Sequence, residues 1–214
     1  MSTINFHKKS ICTFFFILIL ITTAFITYAK NVEKNLSEKF LRLHIIANSN
    51  SKEDQELKIK IRDKILDETK KWFITCKNAN DSLEIINKNI DKISEITKEE
   101  IKKEGYCYDI QAVIGNFLFP TKSYKNIILP AGKYKALKIK IGDAKGENWW
   151  CVLFPPLCFI NGFDTKLPLE EENQLKTNIS ENQYELITEN EEISTIKIKF
   201  KIIELLAPLF IKKN

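Results

Sequence analysis

The sequence predicts an α+β domain in which a small mixed or antiparallel sheet packs against two consecutive helices, behind an N-terminal apolar helix. Three observations predict this class. Residues 11–29 carry no charge, two stretches between residues 52 and 105 place apolar residues at helical spacing, and short segments of alternating apolar residues lie on either side of those stretches. A strand, then helices, then a run of short strands is typical of an α+β fold.

The apolar run at 11–29 predicts an export signal or a membrane anchor within residues 1–30. Its 19 residues are close to the roughly 20 that cross a bilayer as a helix. Basic residues precede it, so the amino end should stay in the cytoplasm and the rest of the chain should be exported. Thr27 and Ala29 are small enough for cleavage after Ala29, while the apolar length also suits an uncleaved anchor. Both alternatives stay open.

The elements after the leader follow from periodicity. Phe40–Ala47 alternates like a strand, and Ser51 caps a helix that starts near Lys52 and runs to about residue 77. A second helix is predicted from 81 to 105. Strands are predicted at 108–119, 133–141 and 148–154, which we expect to form an antiparallel element. The apolar alternation of 133–141 changes phase near residue 136, which indicates either a bulge or a strand buried on both faces.

The C-terminal quarter has a different composition. Residues 170–192 hold eight Glu and one Lys, which predicts a solvated, mobile segment. Residues 193–214 fit a strand or a helix, and the helix is favoured because of the break at Pro208. The predicted organisation is therefore a leader at 1–30, an α+β domain at 31–169, an acidic segment at 170–192 and a terminal helix at 193–214.

Composition excludes several classes of function. The chain has a net charge of +5, but without the three lysines of the leader the net charge is only +2, which gives no reason to expect nucleic-acid binding. Of two His, one lies in the leader, which excludes a multi-histidine metal centre. There is no CxxC spacing and thus no sign of a thiol–disulfide oxidoreductase or zinc ribbon. We expect no metal, no cofactor and no small-molecule substrate.

Cys151 and Cys158 flank a Pro-Pro pair that favours a chain reversal. In an exported chain such a reversal could bring the two thiols into disulfide range. The other interpretation is a pair of buried thiols. The residues alone leave this choice open.

A few side chains are candidates for function. His44 is the one candidate base after the leader, on the same side of its strand as Arg42, and a structural His is favoured over a catalytic one. Trp149 and Trp150 point to opposite faces of their strand, so either strand burial or a protein contact explains them. We predict a contact surface formed by Arg42, His44, Asn48 and the hairpin at 149–159.

Two blocks of residues resemble the stage II sporulation protein R family of endospore-forming bacteria. The first is the stretch from Leu41 to Ser49 (LRLHIIANS), followed by Glu53-Asp54-Gln55 and by residues 57–63 (LKIKIRD). The second comprises Phe119–Lys122, Leu129–Gly132 and the uninterrupted run from Asn148 to Phe159 (NWWCVLFPPLCF). These blocks cover roughly 41–66 and 105–160, and the long run is far more specific than any short motif.

The resemblance implies an exported messenger rather than an enzyme. Members of this family pass from the forespore into the space between the forespore and mother-cell membranes. There they activate a membrane-embedded aspartyl protease that processes a mother-cell sigma factor precursor. The alternative function, an exported cell-wall or peptide hydrolase, would use His44 as its base.

Overall fold

The computed structural model describes residues 2–159 and 167–188. Helix α1 (Ser2–Ser37) includes one candidate membrane span, Thr13–Ser37, by length and composition. The chain divides into two compact units, α1 up to Asn35 and the residues from Leu36 onward. In the second unit Leu36 and Phe40 are fully buried. The remaining description concerns this second unit.

A four-stranded mixed sheet forms its centre. The sheet is built from β1 (Leu41–Ile46), β2 (Ile110–Phe119), β5 (Gly132–Ile141) and β6 (Asn148–Phe154), in the order β2-β5-β1-β6. Strand β1 runs parallel to β5 and antiparallel to β6, and β2 runs antiparallel to β5. This confirms the predicted α+β class and places each predicted strand within two residues of its expected ends. The three later strands do not form one antiparallel element as predicted, because β1 lies between β5 and β6 and pairs with both.

Three helices cover one face of the sheet, which we call the first face. They are α2 (Lys52–Lys70), α3 (Ala79–Lys88) and α4 (Ile90–Lys103), and their apolar residues join the odd-numbered side chains of β1 and β5 in one core cluster. Ser51 caps α2 as predicted, since its hydroxyl accepts a hydrogen bond from the Asp54 amide. The predicted second helix is divided in two at Asn89, and α2 ends at Lys70 rather than near 77.

A second layer covers part of the opposite, second face. It consists of the hairpin β3 (Lys122–Tyr124) and β4 (Ile127–Leu129), a 3-10 turn at Leu157–Phe159, and the helices α5 (Leu169–Asn178) and α6 (Glu181–Ile187). The interior between this layer and the sheet is a second core cluster that includes Phe119, Tyr134 and Val152. The domain therefore has three layers, with the sheet in the middle.

The two short helices correct the interpretation of residues 170–192 as a mobile segment. Leu175, Ile179 and Ile187 are buried in the second cluster, and a capping box between Ser180 and Gln183 starts α6. Burial of one apolar face holds this acidic stretch in helical form up to Ile187, while its glutamates stay largely on the outside. Residues 189–192 and the predicted terminal helix at 193–214 lie outside the described residues.

The structure of β5 explains why the apolar alternation of the sequence changes phase near residue 136. Its pairing with β2 and with β1 is continuous, so there is no bulge. Tyr134 and Ala136 face the second layer, while Leu137, Ile139 and Ile141 face α2–α4. The strand is therefore buried on both faces. The even-numbered apolar residues pack against the second layer, and the odd-numbered ones pack against the helices.

Candidate functional site

Arg42 lies at the centre of the second face and is fully buried. Its Nε donates to the carbonyl oxygen of Cys151 at 2.9 Å, and Nη2 donates to the hydroxyl of Tyr124 at 2.7 Å. The guanidinium lies over the rings of Phe119 and Tyr134, at 4.4 and 4.7 Å from their centroids. The salt bridges among the described residues do not include Arg42, so aromatic faces and neutral oxygens surround this cation.

His44 is next on the same side of β1, and it is also buried. Its ring stacks on Trp150 with centroids 3.8 Å apart, and Nε2 donates to Oδ1 of Asn148 at 2.7 Å. Burial lowers the pKa of His44 to about 4; the Asn148 hydrogen bond opposes this shift, and the nearby Lys138 cation adds to it. The imidazole is therefore neutral at pH 7, with Nδ1 buried and without a partner among the described residues.

Asn48 belongs to a separate network, at the end of β1. Its Nδ2 donates to Oδ2 of Asp54 at 2.8 Å, and its Oδ1 accepts from the Asp143 amide at 2.9 Å. The Ser49 hydroxyl donates to the same Asp54 oxygen at 2.6 Å. Burial of Asp54 raises its pKa, but these hydrogen bonds outweigh that effect and hold its pKa below the ordinary value. Asn48 therefore joins the β1–α2 loop to the β5–β6 turn, a structural role.

The two adjacent tryptophans lie on opposite faces of β6, as the strand period requires. Trp150 lies beside His44 on the second face, and its ring centroid is 4.8 Å from that of Phe119. Trp149 packs toward α2, where the guanidinium of Arg62 lies 4.3 Å from its ring. Both tryptophans are half-buried. The predicted contact residues thus form two groups: Arg42, His44 and Trp150 come together, and Trp149 and Asn48 lie elsewhere.

Strand β6 is an outer strand of the sheet, and two clefts follow its outer edge. One of about 530 Å³ lies beside Arg62, Asp67 and Lys125, and one of about 540 Å³ lies beside Lys58 and Lys122. Tyr124, Trp149 and Trp150 line both clefts. We call the surface formed by these three residues and the two clefts the β6 edge. It is bounded by α2 on one side and by the β3–β4 hairpin on the other.

The disulfide and one tyrosine shape this edge. Cys151 and Cys158 are bonded in the structure with Cα atoms 5.7 Å apart, and both line the first cleft. The Tyr124 hydroxyl donates to the carbonyl oxygen of Trp150 at 3.2 Å, so a side chain satisfies a backbone acceptor of an edge strand. Tyr124 was not among the predicted site residues. Its contact with Arg42 joins residues 82 positions apart, and no local pattern signals it.

The described residues do not assemble a recognisable reaction centre. His44 has an amide as its hydrogen-bond partner, where a nucleophile or an orienting carboxylate would be needed. The described part of the chain contains no group of three or more His, Cys, Asp or Glu residues that could hold a metal ion. The geometry does provide an aromatic surface along the β6 edge, formed by Tyr124, Trp149 and Trp150.

Comparison with known proteins identifies the family. The family model described as Stage II sporulation protein R matches residues 37–164, more than half of the chain. The chain belongs to the stage II sporulation protein R family. A curated relative, "Stage II sporulation protein R" of Bacillus subtilis (strain 168), is 33% identical over 222 aligned positions that cover 95% of this chain and 99% of the relative. No solved structure matches.

Membership of this family makes the chain a sporulation signalling protein. The matched residues begin at the end of α1 and contain the whole sheet, the three helices of the first face and both tryptophans. Helices α5 and α6 follow the matched range. An apolar helix before the matched domain is consistent with export or membrane anchoring.

The Asn48 network gives a first prediction. Gly142 has φ +53°, and a Cβ at that position would overlap Oδ1 of Asn48. Replacing Gly142 by Ala should therefore lower the free energy of unfolding by about 2–3 kcal/mol, from backbone strain together with displacement of Asn48. Urea denaturation of the full chain in detergent measures this change.

Gly105 is the matched control, because it has φ +83° with nothing within 4 Å of a built Cβ. Gly105→Ala should cost only about 1 kcal/mol, the backbone contribution alone. Equal losses in the two variants would show that the contact with Asn48 does not matter.

The low pKa of His44 gives a second prediction. Between pH 6.5 and about 4 the unfolded chain binds a proton at this site and the folded chain does not, so the unfolding free energy must fall as the pH falls. The loss from this group should reach about 2 kcal/mol between pH 7 and pH 4.5. His44→Gln, which keeps a hydrogen-bonding side chain and removes the titration, should lose correspondingly less. Urea midpoints at the two pH values test this, and identical pH dependence in both proteins would contradict it.

Proposed function

We propose that the chain is exported from the forespore and activates a membrane-embedded aspartyl protease, which then processes the precursor of a mother-cell sigma factor. The observation that carries this proposal is the family match over residues 37–164, which includes most of the folded unit. The resemblance of the two sequence blocks to the family supplies the protease and its substrate. The apolar helix α1 supports delivery to the far side of the forespore membrane.

We propose further that the chain acts by binding and not by catalysis. A ligand activates an enzyme only when it binds the active state more tightly than the inactive one. Such a ligand needs a rigid surface with large side chains that can be buried in the contact. Trp and Tyr are enriched at the energetic centre of protein interfaces, and two Trp and one Tyr line both clefts of the β6 edge.

The β6 edge is a better candidate for this contact than the residues at the centre of the second face. Arg42 is fully buried and His44 is 4% exposed, so neither can contact a partner directly without rearrangement. Both residues instead support the edge from below, Arg42 through Tyr124 and His44 through Trp150. In this proposal they are positioning residues for the contact surface.

The hydrolase alternative has no observation in its favour. A general base must reach a proton on substrate or nucleophile, and Nδ1 of His44 is buried. The other ring nitrogen is engaged by Asn148. His44→Gln distinguishes the two functions, because a hydrolase would lose nearly all turnover while a ligand would lose only part of its contact energy.

Reconstitution by co-expression tests the function. The full chain, the membrane protease and the sigma factor precursor are produced together in cells that do not sporulate, and precursor processing is followed by immunoblot. We expect processing only when all three proteins are present. A chain that begins at Lys30, behind an initiating Met, is the control, because it keeps the folded unit and lacks the export helix. Processing without the chain would contradict the proposal.

The contact at the β6 edge is tested by Trp149→Ala. Trp72→Ala is the matched control, because both side chains are half-buried against the first core cluster and both lie near a cation. Loss of an interface Trp typically costs at least 2 kcal/mol, so Trp149→Ala should weaken binding to the purified protease about 30-fold or more. Trp72→Ala should change the affinity less than about threefold. Equal effects would place the contact elsewhere.

A further inference from the structure

One half of the second face is not covered by the second layer. Strand pairing aligns the side chains of this face in rows that cross all four strands. The row of Gly115, Ala136, Arg42 and Val152 lies under the second layer. The next two rows extend beyond that layer, although Trp150 still packs against the second cluster and His44 is buried beneath it. We call them the open rows. They consist of Val113, Lys138, His44 and Trp150, and of Gln111, Lys140, Ile46 and Asn148.

The open rows combine apolar groups with two cations. Val113 and Ile46 are half-buried and belong to neither core cluster. Lys138 lies over the ring of Phe117, with Nζ 3.7 Å from its centroid. Neither Lys138 nor Lys140 takes part in a salt bridge among the described residues. A segment that brings carboxylates followed by apolar side chains would complement this surface.

The last 26 residues of the chain have that composition. Residues 189–192 contain three glutamates, and from Ile193 to Ile211 large apolar side chains recur throughout, as in the stretch from Ile196 to Ile202 (IKIKFKI). A stretch so rich in large apolar residues needs a surface against which to bury them. This terminal segment lies beyond the matched range of the family.

The point at which the segment starts is also favourable. Thr188 forms a β-bridge with Ile127, on the hairpin that covers the neighbouring half of the same face. Residue 192 is four residues further on and can reach about 13 Å from there. Four residues along β5, from the covered Tyr134 to Lys138, span a similar distance of about 13 Å. The segment therefore starts on the same face as the open rows, with a reach similar to the spacing of Tyr134 and Lys138 along β5.

We propose that residues 189–206 of this chain dock on the open rows, with the glutamates beside Lys138 and Lys140 and the apolar side chains over Val113 and Ile46. Tethering raises the local concentration of the segment far above that of any separate partner, so even a modest affinity would keep the surface covered. The proposal concerns only the chain itself and does not depend on which protein it activates.

Photo-crosslinking tests this docking. Gln111, an exposed residue of the open rows, is replaced by p-benzoylphenylalanine in the full chain in detergent, and crosslinked peptides are identified by mass spectrometry. Asn116 is the matched control, an exposed polar residue of the same strand that points to the opposite face. We expect crosslinks from position 111 to residues 189–206. From position 116 we expect no crosslinks to that segment.

Mixing chains labelled with heavy and light nitrogen separates crosslinks within one chain from those between two copies. Crosslinks confined to single chains support the proposal. Crosslinks that form only between copies, only to another protein or to no protein would overturn it. Equal yields of crosslinks to residues 189–206 from positions 111 and 116 would also overturn it.

Charge reversal supplies a second measurement that does not rely on an unnatural side chain. Lys138→Glu with Lys140→Glu should raise the hydrogen-exchange rate of residues 189–206 at least tenfold relative to the wild type. Adding Glu191→Lys and Glu192→Lys should restore the slower exchange, because the charge pairs are then reversed together. Unchanged exchange in the first variant, or no recovery in the second, would contradict docking at these lysines.

Discussion

The burial of Arg42 is the constraint from which the arrangement of the second face follows. A guanidinium removed from water must find acceptors and aromatic faces for its charge, or the domain loses several kcal/mol. Here the carbonyl of Cys151, the hydroxyl of Tyr124 and the rings of Phe119 and Tyr134 supply most of them, while Nη1 has no hydrogen-bond partner among the described residues. These partners come from β6, from the β3–β4 hairpin and from the ends of β2 and β5. One side chain thus ties the hairpin to the sheet.

The position of the hairpin in turn divides the second face. Because Tyr124 bonds to both Arg42 and the edge carbonyl of Trp150, the hairpin lies over the rows nearest the Phe119 end of β2. The rows that contain His44 and Lys138 are left beyond it. The same tyrosine shapes the β6 edge, since it lines both clefts there. The two Tyr124 contacts therefore shape both the β6 edge and the extent of the open rows, and Trp150 belongs to both surfaces.

The sequence alone predicts the parts of this structure that local periodicity encodes. Strand β6 was predicted with the ends that the structure shows, and the cap at Ser51 with its hydrogen bond to Asp54 follows from a four-residue pattern. The break at Asn89 was missed because the apolar stripe continues across it. Helices α5 and α6 were missed because Leu175, Ile179 and Ile187 are too sparse to show a period, although Ser180 and Gln183 carried a capping signal.

The site was harder to predict than the fold, for a physical reason. Alternation along β1 places Arg42 and His44 on one side of the strand, but it does not tell which layer will cover them. Their burial depends on Tyr124 and Trp150, which lie about 80 and 100 residues further along the chain. The sequence therefore predicts Arg42 and His44 as members of a contact surface, whereas the structure buries both side chains.

Burial of these supports suits a protein that acts by contact. A ligand shifts the equilibrium of its partner only by its difference in affinity for two states, and a surface that could rearrange would reduce that difference. The stack of Trp150 on His44 and the contact of Arg62 with Trp149 hold both indoles from opposite faces of one strand. A neutral His44 serves this stack without an uncompensated charge beside Lys138. The burial that makes His44 a poor base therefore makes it a good support for Trp150.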